Sequence, residues 1–132
     1  GEALFIRGIL YFELVRLYAQ PWVAGTPNTG PAVPLVLTPT RAINDESKVS
    51  RATVTQVYTQ VLDDLKKAES LLPEENGVRA TTFVVSAFLS RVYLQQSDYA
   101  NALAAANRVI QSGKYALQSS VKAVFDQNST AE

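Results

Sequence analysis

The feature that most constrains this 132-residue chain is a first helix-forming stretch that is apolar on almost every side. Over residues 2–20, Leu4, Ile6, Ile9, Leu10, Leu14, Leu17 and Tyr18 recur at helical spacing and supply one apolar band, while Phe5, Tyr11, Phe12 and Val15 fall on other faces. Only a narrow polar stripe is left, through Glu2, Glu13, Arg16 and Gln20. A helix of this kind is buried on several sides at once. Arg7, Glu13 and Arg16 interrupt the run before it reaches membrane-spanning length, so the expected cover is protein rather than lipid. Three further helical segments are too few to supply it. The chain, which has no Met and opens on Gly1 in mid-pattern, is therefore expected to be a section of a longer helical protein.

Those three segments have distinct signatures. Thr53 and Gln56 stand at capping-box spacing, in which hydroxyl and amide each reach a free backbone N–H of the first turn. Val54, Val57, Tyr58, Val61, Leu62, Leu65, Ala68 and Leu72 follow on one face, and Pro73 ends the helix because it cannot donate the next backbone hydrogen bond. Asp63 and Asp64 read as wet-face charges within a turn of Lys67. The next helix is predicted to start after Thr81 and to run to about Gln96; its Val and Phe content suits a strand, but its length and the breaks at Ser86, Ser90 and Arg91 favour helix. The last is capped by Ser97 or Asp98, with a predicted buried stripe of Tyr99, Ala102, Leu103, Ala106, Val109 and Ile110 and a left-handed stop at Gly113.

Between the first two helices, residues 21–52 read as a long loop insertion. Pro21, Pro27, Pro31, Pro34 and Pro39, with Gly25 and Gly30, oppose helix and central strand alike, leaving one short extended stretch around Val33, Leu35, Val36 and Leu37. Loops of this length are functional or packed against other chain. Residues 118–132 are predicted to be an irregular polar tail, with Val121, Val124 and Phe125 as candidate anchors.

The helices pair into two similar units. Leu89, Ser90, Tyr93, Tyr99 and Ala102 resemble the tetratricopeptide pattern, with Ser90 in place of its Gly and Lys114 in place of its Pro. Gly8 and Tyr11 repeat the spacing of Ser90 and Tyr93. Tyr58, Val61, Leu65 and Ala68 align with Tyr99, Ala102, Ala106 and Val109, each pair 41 residues apart. Small residues at Gly8, Ala68, Ala102 and Ala106 permit close helix approach. The fold class expected is all-α: two tetratricopeptide-like helical hairpins, four main helices, with the Pro/Gly-rich insertion between the first two.

Four stretches, in order, resemble the SusD/RagB family of outer-membrane nutrient-binding lipoproteins. They are EALFIRGILYFELVRLY at residues 2–18, Val33-Pro34-Leu35-Val36, the run from Arg51-Ala52-Thr53 to Leu71-Leu72-Pro73, and the run from Arg79-Ala80-Thr81 through Arg91-Val92-Tyr93-Leu94 to Asp98-Tyr99 and Gly113-Lys114-Tyr115. The resemblance implies a helical section of a surface-exposed outer-membrane protein that holds glycans or peptides for a TonB-dependent transporter, its lipid anchor lying outside residues 1–132. Family members are several times longer, and their glycan contacts lie mainly in other regions, so no binding residue is carried over. The alternative reading is a tetratricopeptide adaptor that binds protein partners.

Composition narrows the chemistry. With no His and no Cys, His-based general bases, Ser-His-Asp and Cys-His nucleophiles and His/Cys zinc sites are all excluded, and no enzyme constellation, metal site or cofactor is expected. Twelve basic residues balance twelve acidic ones, which argues against a nucleic-acid partner. Asp63–Asp64 and Glu74–Glu75 are sequence neighbours that point in different directions, unlike the facing carboxyls of a glycosidase. Trp22 and Tyr18 are the candidate ligand-binding residues, since exposed aromatic rings stack on sugar faces. The competing role for Trp22 is to anchor the loop onto the first helix.

Overall fold

A computed structural model of the chain describes residues 1–117 and 120–121. Four helices carry the fold: α1 (Glu2–Tyr18), α2 (Val54–Leu71), α3 (Thr82–Gln95) and α4 (Tyr99–Gln111). The helix starts follow from local chemistry. Thr53 caps α2, its hydroxyl accepting from the Gln56 N–H at 3.2 Å while the Gln56 side chain accepts from the Thr53 N–H at 2.8 Å. Thr81 caps α3 and Asp98 caps α4. Gly113 adopts φ +66, the left-handed conformation that suits glycine after a helix. Most of the predicted tail, residues 118–132 with Val124 and Phe125, lies outside the described residues.

α1 and α2 run antiparallel in close contact, Phe12 meeting Tyr58 and Gly8 meeting Leu65. A Cβ at Gly8 would stand 3.0 Å from Leu65 side-chain carbons, so the absent side chain sets this approach. α3 and α4 form the second hairpin, and α2 and α3 join the two into one core. Phe12, Val15, Val57, Val61, Leu65, Val85, Leu89 and Val92 are fully buried there. α1 turns Phe5, Gly8, Phe12 and Val15 inward, whereas most of the band predicted from its spacing (Ile6, Leu10, Leu14, Leu17, Tyr18) is exposed. α4 departs from expectation in the same way. Ala102 and Ala105 are its buried residues, and Tyr99, Leu103 and Ile110 face outward, because two alanines let α3 approach more closely than large side chains would.

The connection between α1 and α2 is more ordered than a loop. Pro31–Pro34 forms β1, antiparallel to Arg51–Thr53, β2, with partners Pro31–Thr53 and Pro34–Arg51 and an irregularity between them. Two prolines are tolerated because a two-stranded ribbon leaves each strand a free edge. The Arg51 guanidinium braces it by donating to the Ala32 carbonyl. The same connection completes the α2 N-terminus: Val54 N–H donates to the Gly30 carbonyl at 3.0 Å and Thr55 N–H to the Asn28 carbonyl at 3.1 Å. These are orphan donors of a helix start, satisfied by loop carbonyls.

Candidate functional site

The most heavily bonded polar group in the core is Asp64, and it is not on a wet face. Its position continues the inward line of Val57 and Val61, so the carboxylate is buried against α1. Arg7 of α1 meets it with a two-pronged contact, Nε and Nη2 donating to the two carboxylate oxygens at 2.7 Å each. Gln60 donates to the same carboxylate at 2.9 Å. The expected pairing with Lys67 is thus replaced by Arg7. The hydrogen bond to Asp64 raises the Arg7 pKa above its already high ordinary value, partly opposed by burial. The two charges compensate each other across the α1–α2 joint.

A second network ties α2 to the other hairpin. The Glu69 carboxylate accepts from the buried Ser86 hydroxyl of α3 and from Arg108 of α4, whose Nη2 lies at 2.8 Å. The Glu69 carbonyl also accepts from the Thr82 hydroxyl at 3.0 Å. Glu74 and Glu75 behave as solvated charge: Glu75 pairs with Lys114 at 2.8 Å, which holds its pKa below the ordinary carboxylate value. Among the described residues no cluster of His, Cys, Asp or Glu could hold a metal ion, and no helix is long and apolar enough to cross a membrane.

The two aromatic candidates are placed differently. Trp22 is half-buried and packs edge-on against Tyr58 of α2, ring centroids 5.0 Å apart. It fastens the α1–α2 connection to the core. Burial raises the Tyr58 pKa, with Arg16 opposing. Tyr18, at the end of α1, presents an exposed ring, and its carbonyl accepts from Arg51 at 3.4 Å. The larger feature nearby was not singled out from sequence. It is a groove of ≈ 540 Å³ between α1 and the end of β1 with the segment after it, lined by Ile6, Leu10, Leu14, Pro34 and Val36 together with Arg7 and Tyr11. Tyr11 holds that segment in place, its hydroxyl accepting from the Val36 N–H at 2.7 Å and donating to the Val36 carbonyl at 3.2 Å. A cavity of ≈ 490 Å³ beside α2 carries Thr55, Gln56 and Gln60, but these side chains already bond to Pro27, Thr53 and Asp64.

The arrangement of four helices has close counterparts among solved structures. Residues 1–94 match the SusD-like family described as starch-binding and associating with the outer membrane. The chain belongs to the SusD-like family. A SusD superfamily protein from Bacteroides thetaiotaomicron is 36% identical over 89% of this chain, with a TM-score of 0.79. A SusD-like carbohydrate-binding protein from Bacteroides vulgatus is 27% identical over 89%, TM-score 0.71. A laminarin-binding SusD-like protein gives the same values, 27%, 89% and 0.71. The SusD-like chain described here spans about a quarter of each of these structures, 25% in all three cases. Comparison with curated proteins finds no match.

Proposed function

We propose that this chain is the helical scaffold section of a cell-surface glycan-binding protein, non-catalytic, that works with a TonB-dependent outer-membrane transporter. The observation that carries the reading is the SusD-like match over residues 1–94 together with superposition of 89% of the chain on a carbohydrate-binding and a laminarin-binding SusD-like protein. The geometry supports a scaffold role, because Arg7, Asp64, Glu69, Ser86 and Arg108 are all bonded within the helical frame. In this reading the lipid anchor and most glycan contacts belong to the rest of the polypeptide, and Tyr18 is the one candidate aromatic here whose ring is open to a sugar.

The test is calorimetric titration of the full-length protein with soluble starch and laminarin fragments, alongside co-purification of a TonB-dependent transporter from the native outer membrane. Saturable glycan binding and recovery of the transporter are expected. Absence of both, with binding of apolar peptides in the α1 groove, would instead select the adaptor reading, which the groove's apolar lining favours.

A further inference from the structure

Asn76–Gly77 is the one Asn-Gly step in the chain, and it lies in the loop that leads from α2 to α3. An Asn followed by Gly is the pair most open to attack of the backbone on its own side chain. No Cβ shields the attacking nitrogen, and glycine adopts the backbone angles that ring closure needs. Gly77 stands in the turn whose Arg79 N–H donates to the Asn76 carbonyl at 3.1 Å. It is exposed, its φ is +58, and a Cβ built on it would meet nothing within 4 Å.

The side chain under attack is held on two sides. Asn76 Nδ2 donates to Glu2 Oε1 of α1 at 3.0 Å and to the Ala80 carbonyl at 2.9 Å. A carboxylate and a carbonyl only accept, so the amide has one orientation here. The two bonds fix its rotation, and donation from Nδ2 drives electron density into the amide, which makes Cγ a poorer target. Glu2 also pairs with Arg79 at 3.5 Å. One carboxamide thus joins the start of α1, the turn and the residue before the α3 cap, Thr81.

We propose that Asn76 is a latent self-modification site, a deamidation site latched by Glu2 and the Ala80 carbonyl. The Gly77 nitrogen gives its proton to a solvent base and bonds to Asn76 Cγ. The Cγ–Nδ2 bond breaks, and Nδ2 takes up a proton and leaves as ammonia. The cyclic imide then adds water across one of its two carbonyl–nitrogen bonds. One opening gives aspartate, and the other gives isoaspartate, in which the backbone runs on through the former side chain. Water is the one co-reactant, and nothing is oxidised or reduced. Either product replaces the donating amide with a carboxylate beside Glu2, so the joint loses its bonds, gains like-charge repulsion and opens. The step is one-way, so the converted fraction records the time that the latch has spent open.

The full-length protein is aged in mildly alkaline buffer, and peptide mapping by mass spectrometry follows aspartate and isoaspartate at position 76, with Asn28 and Asn101 as references. Conversion at Asn76 is expected to run several times more slowly in the native protein than in denaturant at the same pH. Glu2→Ala should speed the native reaction several-fold and leave Asn28 and Asn101 at their wild-type rates, whereas Glu2→Gln, which keeps an accepting oxygen, should stay near wild type. Asn76→Asp, the product itself, should exchange its Arg79 and Thr82 amides several times faster, since these close the loop onto Asn76 and Pro73. Equal rates in native and denatured wild type overturn the latch, a comparison that needs no variant to fold. An unchanged rate in Glu2→Ala does the same, as does acceleration of Asn28 and Asn101 alongside Asn76, which assigns the effect to unfolding. Unchanged amide exchange in Asn76→Asp overturns the opening of the joint. Absence of isoaspartate at position 76 even in denaturant overturns the site.

Discussion

Arg7 and Asp64 are not equivalent partners, and the difference between them predicts an asymmetry in stability. The Asp64 side chain is only 4% exposed, whereas about a third of Arg7, 32%, reaches solvent. Arg7→Ala leaves a buried carboxylate with Gln60 as its remaining donor. Breaking a buried ion pair in this way costs about 3–5 kcal/mol. Asp64→Ala leaves a guanidinium on a long stem at the surface, free to turn into water, so its cost is about 1–3 kcal/mol. Replacing both, as Arg7→Met with Asp64→Leu, removes the desolvated charges together and restores most of the loss. The assay is urea unfolding of the chain followed by circular dichroism, with Trp22 fluorescence as a second probe of the same core. The expected order of stability is wild type close to the double variant, then Asp64→Ala, then Arg7→Ala. If Asp64→Ala costs as much as Arg7→Ala, the carboxylate is not the desolvated member and the reasoning fails.

Three further outcomes follow from the packing. Gly8→Val should destabilise by about 1–3 kcal/mol, because its Cβ would stand 3.0 Å from Leu65 carbons; in a thermal melt, adding Leu65→Ala should recover part of the loss instead of adding to it. Trp22→Ala should cost about 1–3 kcal/mol by denaturant unfolding, since it strips the ring from Tyr58, whereas Tyr18→Ala, at an exposed ring, should stay within about 0.5 kcal/mol. Tyr58 should make the fold alkali-sensitive. Its pKa is raised by burial above the ordinary 10.0, so the associated stability is intact below that pH and is lost as pH climbs through the shifted value. Titration of phenolate absorbance should show a late-ionising tyrosine that disappears in Tyr58→Phe; loss of an ordinary step would contradict the assignment.

The helix boundaries were legible in the sequence because they are local. Thr53 with Gln56, Thr81 and Asp98 each cap within one turn, and their chemistry needs no knowledge of the fold. The facing of helices with two apolar arcs was not legible. In α1 and α4 the spacing of large residues points one way, and the core takes the other, through Phe5, Gly8 and Phe12 or Ala102 and Ala105. Periodicity reports that a helix has an apolar arc; which arc is covered depends on neighbours far away in sequence. Asp64 shows the converse. The line Val57, Val61, Asp64, Ala68 places it inward, but its charge suggested water until a partner 57 residues away supplied the compensation. One short extended stretch around Val33 was legible, but its pairing with Arg51–Thr53 was not, because proline excludes central strands only and a two-stranded ribbon has no centre.

The same division explains why the ligand chemistry is hard to read from this section. Among the described residues no buried side-chain nitrogen or oxygen is without a hydrogen-bond partner. Glu2 bonds to Asn76 at 3.0 Å and closes the loop before α3 over the start of α1, just as Glu69 and Arg7 join helices. Polar groups so engaged hold helices in register and have little capacity left to recognise a sugar. Among the large aliphatic side chains left open on the helices are Ile6 and Leu10 of α1 and Leu103 and Ile110 of α4. Apolar aliphatic faces without accompanying donors select helices far better than they select hydroxyl-rich glycans, because a sugar placed there would lose its hydrogen bonds to water without replacement. The surface chemistry of these faces thus agrees with the proposal, carried by the family match, that this section is scaffold and that most glycan contacts belong to the rest of the polypeptide.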